Sequence, residues 1–480
     1  MNDRRQPRAS AKPAPDRDPG SSPRNARADR NPGRPSAGDR QGVRARAGKG
    51  RVRAGSLQAR RTEQVTALLR EVLAWEGPLD AVVSRWFRMH PQLGARDRTE
   101  VAEAVYNVVR HLRRYRHFAQ SGSGDIARRL ALLGLFNTLG RAYLQSVLSE
   151  REASWIDHVQ SLDAAVLPRP VRYSLPDWLD EAFGRLDNPE ALMAAMLEPA
   201  YLDVRVNPLK IERDALLQEL REDTRARGLD GRLPAATPWS PWGIRIFARP
   251  DLSRWPRFLD GSLEVQDEGS QLLALLVAPR RGELIIDFCA GAGGKTLLLG
   301  GLMRSTGRLY AFDVSAPRLD RLTPRLARSG LSNVEPVLIS SENDARVKRL
   351  RQKARRVLVD APCSGTGTLR RNPDIKWRQS PQNIAELCEL QARILASAAR
   401  CVQPGGRLVY ATCSLLEQEN EAQVEAFLAR HPDFELKPVP DVLAGRTALE
   451  MPGPFLKLRP DVHGTDGFFA AVFDRRTDAG

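Results

Sequence analysis

The spacing of apolar residues changes along the chain and divides it into parts of different structure. Between residue 57 and about residue 161, apolar residues recur every three or four positions, which is typical of helices with one buried face. Asp97 followed by Glu100 predicts a capping box at the start of one of these helices. The pattern therefore predicts a small all-helical domain over residues 56–165.

Four arginines near the end of that predicted helix indicate a basic outer surface on the helical domain. They are Arg110, Arg113, Arg114 and Arg116. Solvated surface arginines explain this pattern, and contact with RNA is the alternative explanation. The sequence leaves both explanations open.

Residues 166–280 have a mixed pattern. Residues 202–207 alternate between apolar and polar positions as a strand does, and residues 212–222 have helical spacing. Three tryptophans follow in a proline-rich stretch, at Trp239, Trp242 and Trp255. This part is predicted to be a small α+β subdomain.

From Glu283 onward strands and helices alternate, so residues 281–480 are predicted to form an α/β domain with a parallel sheet and helices on both faces. Its strands are predicted at residues 284–288, 308–312, 334–339, 356–359, 407–411 and 468–473. Pro404-Gly405-Gly406 is predicted to end the helix before the strand at 407–411. Ligands of such sheets bind beyond the carboxyl ends of the strands, so the residues after each strand are candidates for the site.

The formal net charge of +16 is concentrated near the N-terminus and indicates a polyanionic partner. Residues 1–55 contain fifteen Lys and Arg against five Asp and have no aromatic residue. Such a segment cannot bury enough apolar surface to fold. We therefore predict a disordered basic tail, which either attracts phosphates or acts as a solubilising extension.

Composition also limits the location of the protein. No segment resembles a secretory signal or a membrane span, since the longest apolar run covers only residues 272–278. The sequence therefore predicts a soluble cytoplasmic protein. Its five cysteines all lie between positions 289 and 413, and no CxxC pair suggests zinc, so no metal site is predicted.

A glycine-rich loop after the first strand of the α/β domain is the first candidate site. It runs from Cys289 to Lys295, where glycines let the backbone approach a ligand and the next helix begins with free N–H groups. Asp313 lies 22 residues beyond Gly291 at the end of the second strand, where a carboxylate can bind ribose hydroxyls. A phosphate-binding loop for a nucleoside triphosphate would need glycine instead of cysteine at position 289.

Two further strands are followed by cysteines. Asp360 and Cys363 belong to Asp-Ala-Pro-Cys-Ser-Gly after one strand, and Cys413 belongs to Thr-Cys-Ser after the next. A single cysteine is more often a small buried hydrophobe, and we interpret Cys388 and Cys401 in that way. Two cysteines at the ends of adjacent strands beside a binding loop instead indicate chemistry.

Carbon 5 of a cytosine is a target that needs such a pair of cysteines. A thiolate that adds to carbon 6 activates carbon 5 towards a methyl donor, and an acid such as Asp360 can assist at ring N3. A second thiol can assist the later elimination. The target base must be out of its stack, which favours single-stranded or flipped substrate.

These segments together resemble the Sun/nucleolar-protein-2 family of RNA 5-methylcytosine methyltransferases. Residues 360–365, 412–414 and 289–295, together with Asp313, are the basis of the resemblance. It extends to four further segments, which are Arg-Val-Asn at 205–207, Val-Gln-Asp-Glu-Gly-Ser-Gln at 265–271, Arg-Asn-Pro-Asp at 371–374 and Asp-Gly-Phe-Phe at 466–469. The helical segment 57–161 is similar in pattern to the NusB-like RNA-binding region of some bacterial relatives.

The resemblance implies a class I methyltransferase domain with a Rossmann-like, mostly parallel seven-stranded sheet. It implies that Cys413 is the nucleophile at carbon 6, that Cys363 aids product release and that Asp360 is the partner of N3. It also implies an S-adenosyl-L-methionine site formed by Cys289, Ala290, Gly291, Ala292, Gly293, Gly294, Lys295, Asp313, Asp360 and a further acid, for which Asp344 is the best match and Glu342 the competitor. We expect a monomeric enzyme acting on ribosomal RNA, with tRNA as the alternative substrate.

The chain departs from the family pattern in two places. Its loop reads Ala-Gly-Ala-Gly-Gly-Lys where the family commonly has Ala-Ala-Pro-Gly-Gly-Lys, and the residues around Asp344 are unusual. Two other functions compete with the one implied. A DNA cytosine methylase would not need Cys413, and a non-catalytic RNA-binding ribosome assembly factor would need neither cysteine.

Overall fold

The computed structural model describes residues 56–247 and 252–477, and the first part of the chain is helical. The predicted basic tail, residues 1–55, lies outside the described residues. Val65, Leu68, Leu69 and Val72 form a buried face on the first helix, as their spacing predicts. The helices before the first strand are α1 (Leu57–Val72), α2 (Leu79–Met89), α3 (Ala95–Arg110), α4 (Leu112–Ala119), α5 (Ile126–Leu139), α6 (Arg141–Leu144), α7 (Glu150–Ser161), α8 (Arg169–Arg172), α9 (Asp177–Gly184) and α10 (Pro189–Met196).

The start of α3 differs from the predicted capping box. Asp97 lies three residues beyond the N-cap Gly94, and its Oδ2 accepts a hydrogen bond from the Gly94 N–H at 3.3 Å. Arg61, whose side chain is 1% exposed, donates to Asp97 and to Glu100, the latter at 3.2 Å. The prediction of Asp97 as the cap and Glu100 as its partner is wrong, because both carboxylates are used to balance a buried guanidinium.

The predicted arginine-rich outer surface is wrong for Arg110, which is buried, whereas Arg113 and Arg114 are partly exposed. These three donate to backbone carbonyl groups elsewhere in the chain: Arg110 to Arg370, Arg113 to Leu175 and Arg114 to Arg172. Arg116 is exposed, as predicted. The bond from Arg110 joins the helical part to the last part of the chain, and the other two lie within the helical part. The domain boundaries predicted at 165 and 280 stay predictions.

The next part of the chain forms an antiparallel four-stranded sheet of the order β2-β3-β1-β4. Leu216, Leu217 and Leu220 of the accompanying helix α11 pack with Val204 and Ile244 of the sheet. The elements are β1 (Leu202–Val206), α11 (Arg213–Ala226), β2 (Ala235–Ala236), β3 (Gly243–Ile246), α12 (Pro256–Leu259), β4 (Leu263–Val265) and α13 (Glu268–Val277).

The last part is a larger sheet with the strand order β10-β12-β9-β8-β5-β6-β7, and β11 pairs with β12 beside this path. Neighbours are parallel from β9 through β7, whereas β12 is antiparallel to β9, β10 and β11. The predicted α/β class with a mostly parallel sheet is confirmed. The strands are β5 (Leu284–Asp287), β6 (Arg308–Asp313), β7 (Val334–Leu338), β8 (Ala354–Asp360), β9 (Val402–Thr412), β10 (Phe434–Lys437), β11 (Leu456–Leu458) and β12 (Phe468–Arg475).

Both faces of this sheet are buried, because alternate residues of each strand point to opposite sides. Ile286 and Val357 pack in one apolar cluster with residues of α18, while Ile285 and Leu358 pack in another with residues of α13 and α14. The helices of this part are α14 (Gly294–Leu302), α15 (Ala316–Ser329), α16 (Ala345–Lys348), α17 (Ile375–Arg378), α18 (Pro381–Cys401), α19 (Glu421–Arg430), α20 (Val439–Leu443) and α21 (Pro460–His463).

The prediction that Pro404-Gly405-Gly406 ends the preceding helix is wrong. Helix α18 ends at Cys401, and the three residues lie inside β9. Gly405 has φ +69°, and the pairing of β8 with β9 shifts from Ala354–Val402 to Arg356–Arg407. The glycines therefore form a bulge in the strand, which needs the left-handed backbone conformation that glycine adopts easily.

Within the two described ranges, no helix combines the length and the apolar character that crossing a membrane requires.

Candidate active site

The parallel strands of the large sheet bring the predicted site residues to one edge. Asp287, Asp313 and Asp360 are the last residues of β5, β6 and β8, and Cys413 directly follows β9. These strands are neighbours and run in the same direction, so their carboxyl ends lie side by side. Four residues that are far apart in the sequence are thus placed along one edge of the sheet.

The loop between β5 and α14 is shaped by its glycines and by Asp313. Gly291 and Gly293 have φ +57° and +84°, values that side chains rarely allow. The Asp313 carboxylate, 4% exposed, accepts hydrogen bonds from the N–H groups of Gly291 and Ser315 at 2.8 Å each. A Cβ atom at Gly291 or Gly294 would meet no atom within 4 Å, so the backbone of the loop borders open space at these two positions.

Two arginines fix the glycine loop by donating hydrogen bonds to its carbonyl oxygens. Arg325 donates to Ala292 O at 2.5 Å, and Arg205 donates to Gly294 O at 3.3 Å. Arg205 is 1% exposed, and burial lowers its pKa to about 10. Arg205 lies on β1, so the small sheet supports the loop directly, which explains why Arg-Val-Asn at 205–207 accompanies the loop in the sequence pattern.

Lys295 and Asp360 form the charged part of the site. The Lys295 ammonium lies 2.6 Å from Asp360 Oδ2. Burial opposes the charge of Lys295, but the charge and hydrogen bond of Asp360 outweigh it and raise the pKa of the ammonium, with a smaller contribution from Cys413. Lys295 therefore stays protonated and lies within electrostatic reach of the Cys413 thiol.

Asp287, behind the loop, is almost completely buried. Burial raises the pKa of its carboxyl to about 6, although the Thr296 hydroxyl donates to it at 2.7 Å and counteracts the shift. The bond joins the end of β5 to the first turn of α14. Asp287 therefore fixes the loop between them.

The two candidate cysteines meet. Cys363 Sγ and Cys413 Sγ are 3.3 Å apart, and both side chains are partly exposed. The hydrogen bond with Cys413, together with burial, raises the pKa of the Cys363 thiol well above its usual value. Cys363 is therefore a neutral thiol at pH 7 and can donate a hydrogen bond to the sulfur of Cys413.

A buried carboxylate that the sequence analysis missed ties the two cysteine segments together. Glu419 is 0% exposed and accepts hydrogen bonds from the hydroxyl groups of Ser364 and Ser414, the residues directly after the two cysteines. It also accepts from the Ser364 N–H at 2.8 Å and from Gln391 Nε2 at 2.9 Å. The acid-rich segment 417–421 gave no signal for this role, because nothing in its spacing distinguishes the buried glutamate from the exposed ones.

Glu419→Ala is expected to lower the free energy of unfolding by about 1–3 kcal/mol, because four buried donors lose their acceptor. The midpoint of urea unfolding measures the change. Glu417→Ala is the matched control, since Glu417 is exposed and lies in the same short 3₁₀ turn, Glu417–Glu419. Equal stability of the two variants would contradict a structural role for Glu419.

Asp344 has a different environment from the other predicted acids. It is the N-cap of α16, and its carboxylate accepts hydrogen bonds from Ser340 N at 2.8 Å and from Arg346 N at 2.8 Å. These bonds, the backbone ones above all, hold its pKa well below the usual range. Glu342 is more accessible and lies 3.5 Å from Arg393. The choice between Asp344 and Glu342 stays a prediction.

The remaining cysteines lie apart from the thiol pair. Cys401 is buried at the end of α18, and Cys388 is partly exposed on the same helix. Cys289 lies in the glycine loop, where burial first and the charge of Asp287 second raise its pKa well above the usual value. Its side chain packs against the apolar cluster of Ile286 and Val357.

The strand order, the glycine loop after β5 and the acid at the end of β6 define the class of Rossmann-like methyltransferases, and comparison with known proteins agrees. Residues 274–474 match the family model of the 16S rRNA methyltransferase RsmB/F. The chain is 33% identical over 445 residues to a probable ribosomal RNA small subunit methyltransferase B of Synechocystis sp., covering 84% of this chain and 97% of that relative.

Solved structures share the fold. The crystal structure of PH0851 is 25% identical and matches with a TM-score of 0.69 over 87% of this chain and 99% of that chain. A methyltransferase homologue protein from Pyrococcus horikoshii is 31% identical and matches with a TM-score of 0.55 over 65% of this chain and 100% of that chain. The chain belongs to the RsmB/F family of methyltransferases, and the resemblance to the Sun family is confirmed.

Proposed function

We propose that this protein transfers a methyl group from S-adenosyl-L-methionine to carbon 5 of a cytosine in ribosomal RNA. The observation that carries the proposal is the pair of thiols, Cys363 and Cys413, at 3.3 Å beside the Lys295–Asp360 ion pair. A methyltransferase that acts on an oxygen or an exocyclic nitrogen needs no cysteine. Carbon 5 of cytosine, by contrast, becomes nucleophilic only after a nucleophile has added to carbon 6.

The residues present fit the cofactor. The loop Cys289–Lys295 borders open space at Gly291 and Gly294, which lets a ligand approach the backbone closely. The buried Asp313 at the end of β6 has the place of a carboxylate that binds ribose hydroxyls. We assign cofactor binding to this loop, to Asp313, to Asp360 and to one of Asp344 and Glu342. When bound, S-adenosyl-L-methionine supplies an electrophilic methyl group.

Cys413 is the nucleophile in this proposal. Its thiolate forms a bond from sulfur to carbon 6, and the electron pair of the C5–C6 double bond moves towards carbon 5. A proton taken up from water at ring N3 is held by a hydrogen bond to the Asp360 carboxylate and stabilises the charge that the addition places on the ring, and it returns to water when the product is released. Carbon 5 is then the nucleophile towards the methyl group.

Cys363 acts in the release of the product. After methylation, the carbon 5 proton passes to water, its electron pair re-forms the C5–C6 double bond, and the bond between carbon 6 and Cys413 breaks. The neutral Cys363 thiol lies 3.3 Å from the departing sulfur and donates a hydrogen bond to it. This bond stabilises the thiolate as a leaving group.

Ribosomal RNA is the substrate because the relatives that match most of the chain are named ribosomal RNA small subunit methyltransferase B. The family model that matches the chain is that of a 16S rRNA methyltransferase. A tRNA cytosine is the second candidate. A non-catalytic RNA-binding assembly factor would have no use for two thiols held in contact.

The test is to incubate the full chain with S-adenosyl-L-methionine, labelled in its methyl group, and with unmodified small-subunit rRNA or tRNA. Nucleosides are then separated and identified by mass spectrometry. We expect the label in 5-methylcytidine from rRNA. Label at a position other than carbon 5 of a pyrimidine would refute the cysteine chemistry, and label in 5-methyluridine would refute the choice of cytosine. Label only in tRNA would refute the choice of RNA, and no label would favour the assembly factor.

Asp313→Ala is expected to weaken binding of S-adenosyl-L-methionine by about 1.5–3 kcal/mol, the range for a hydrogen bond with a charged group. The variant loses the carboxylate and also frees the Gly291 N–H that it holds. Titration calorimetry measures the affinity. Asp320→Ala is the matched control, because Asp320 is exposed on the following helix. Unchanged affinity of Asp313→Ala would place the cofactor elsewhere.

A further inference from the structure

A cleft of about 820 Å³ lies between the helical part of the chain and the loop that follows Cys363. One wall is formed by α3 and by the end of α5. The opposite wall is formed by the segment before β1 and by Arg370 and Arg371. The proposed methyl transfer uses none of these residues.

Hydrogen bonds join the end of α3 to the chain segment that contains Arg370. Arg110 donates to Arg370 O at 2.8 Å, and Lys376 donates to Arg110 O at 2.7 Å. Trp377 Nε1 donates to Val109 O at 2.9 Å. The end of α3 is thereby fixed to the loop after Cys363, so the cleft is formed before any ligand binds.

A short backbone segment connects the cleft to the two cysteines. Gly367 N donates to Cys413 O at 2.9 Å, and Arg370 lies three residues beyond Gly367. Three residues span at most about 10 Å. Arg371 is held in place by ion pairs with Asp267 at 2.9 Å and Asp466 at 2.7 Å. The wall at Arg370 is therefore at a fixed, short distance from the Cys413 backbone.

Positive charge on this wall is oriented by backbone groups. Arg370 is 6% exposed and donates to the carbonyl oxygens of Gly464 and Pro199 at 3.3 Å each. Lys376 is 3% exposed, and burial first and neighbouring arginines second lower its pKa well below the usual value, so the positive charge of this wall is that of the arginines. Asp466 and Asp267 partly balance the charge of Arg370, whereas the carbonyl oxygens orient its guanidinium without cancelling the charge that a phosphate would meet.

Two buried nitrogen atoms on these walls have no hydrogen-bond partner among the described residues, Arg370 Nε and His111 Nδ1. Burial and the charges of nearby cations lower the pKa of His111 well below its usual value, so the ring is neutral. Buried polar atoms without protein partners are uncommon in folded proteins, so a ligand of the cleft can hydrogen-bond to these two atoms.

An exposed aromatic ring completes the cleft. Tyr201 is 47% exposed, and its ring lies 5.3 Å from the Arg245 guanidinium and 5.9 Å from that of Arg370. Asp203 fixes Arg245 through a hydrogen bond of 2.8 Å. Phe247 also contacts the Tyr201 ring, edge to face, with the ring centroids 5.4 Å apart. These three neighbours fix the tyrosine, and the part of its ring that they leave exposed is the surface on which a nucleobase can pack.

We propose that this cleft binds a nucleotide of single-stranded RNA next to the cytosine that is modified. The base packs on Tyr201, and a phosphate lies at Arg370. Polar side chains of both walls, among them Asn107, Asn137, Glu103 and Glu198, are available to the edges of the base. The inference rests on the proposed function in taking RNA as the substrate.

The test measures RNA binding without chemistry. Full-length protein that carries Cys413→Ala is titrated into a fluorescein-labelled single-stranded RNA oligonucleotide, and fluorescence anisotropy gives the affinity. Tyr201→Ala is expected to weaken binding about 5- to 100-fold, the loss typical for a stacked base, whereas Tyr201→Phe retains the affinity. Tyr310→Ala is the matched control, because Tyr310 also lies beside an arginine, Arg308 at 5.9 Å, and does not line the cleft.

Unchanged affinity of Tyr201→Ala would overturn the proposal and leave the cleft to a protein partner. Equal loss for Tyr201→Ala and Tyr201→Phe would overturn stacking. A loss accompanied by weaker binding of S-adenosyl-L-methionine would show damage to the fold and would also overturn it. Methylation is not needed for this measurement, so its outcome is independent of whether carbon 5 of cytosine is the target.

Discussion

Cys413→Ala is expected to transfer no methyl group and to leave no protein covalently bound to RNA. Without the thiolate, nothing adds to carbon 6, and carbon 5 of the target cytosine stays unreactive. Binding of S-adenosyl-L-methionine should be unchanged, because the loop and Asp313 are intact. The measurement combines transfer of a labelled methyl group with a denaturing gel that detects protein attached to RNA.

Cys388→Ala is the matched control for this variant. Cys388 is also a partly exposed free cysteine, but it lies on α18. Its replacement should leave both readouts unchanged. Full activity of Cys413→Ala would show that the contact between the two sulfur atoms has no chemical role.

Cys363→Ala is expected to accumulate protein covalently bound to methylated RNA. Addition and methyl transfer proceed through Cys413, but the departing thiolate loses the hydrogen bond that the Cys363 thiol donates at 3.3 Å. The reaction then stalls before elimination. The gel should show a band of protein with RNA that carries the labelled methyl group, while turnover falls to a single round.

The double variant distinguishes the two roles. Cys363→Ala with Cys413→Ala should behave as Cys413→Ala alone, since release is irrelevant when nothing has attached. An adduct in Cys413→Ala that is absent from Cys363→Ala would reverse the assignment and make Cys363 the nucleophile. Absence of an adduct in both variants, with methylation retained, would refute covalent catalysis.

The edge of the sheet that holds the candidate site was predictable because it depends on local patterns. Three of the six predicted strands of residues 281–480 end directly before a candidate residue, namely Cys289, Asp313 and Asp360, and parallel strands align their carboxyl ends. Asp313 and Asp360 are the last residues of β6 and β8, and Cys413 directly follows β9, in agreement with the hydrophobic runs that precede them. The contact between the two sulfur atoms follows from the pairing of β8 with β9.

The supporting residues could not be predicted in the same way. Glu419 lies among other acids, and only the folded chain shows that it is completely buried while Glu417 is exposed. The arginines of residues 110–116 have the composition of a solvated surface. Arg110 is nevertheless buried, because Arg370, distant in sequence, presents its carbonyl group to it.

Some details of the backbone also could not be predicted from the pattern of apolar and polar residues. Pro404-Gly405-Gly406 has the composition of a helix stop, yet it forms a bulge inside β9. A glycine with positive φ serves either purpose, and the choice depends on the neighbouring strand β8. The assignment of Asp344 is limited in a similar way, because α16 is short and its N-cap uses the same carboxylate that a cofactor would need.

The hydrogen bonds of the Glu419 carboxylate determine whether the two cysteine segments become ordered during folding or during RNA binding. It accepts hydrogen bonds from the serine after each cysteine, so both thiols are brought into register when the chain folds. The conformational freedom of the two segments is lost at folding, and RNA binding does not have to order them again. In the proposed function, the cytosine would meet a nucleophile and a release group that are already aligned, and the binding energy of the RNA would be left for extracting the base from its stack.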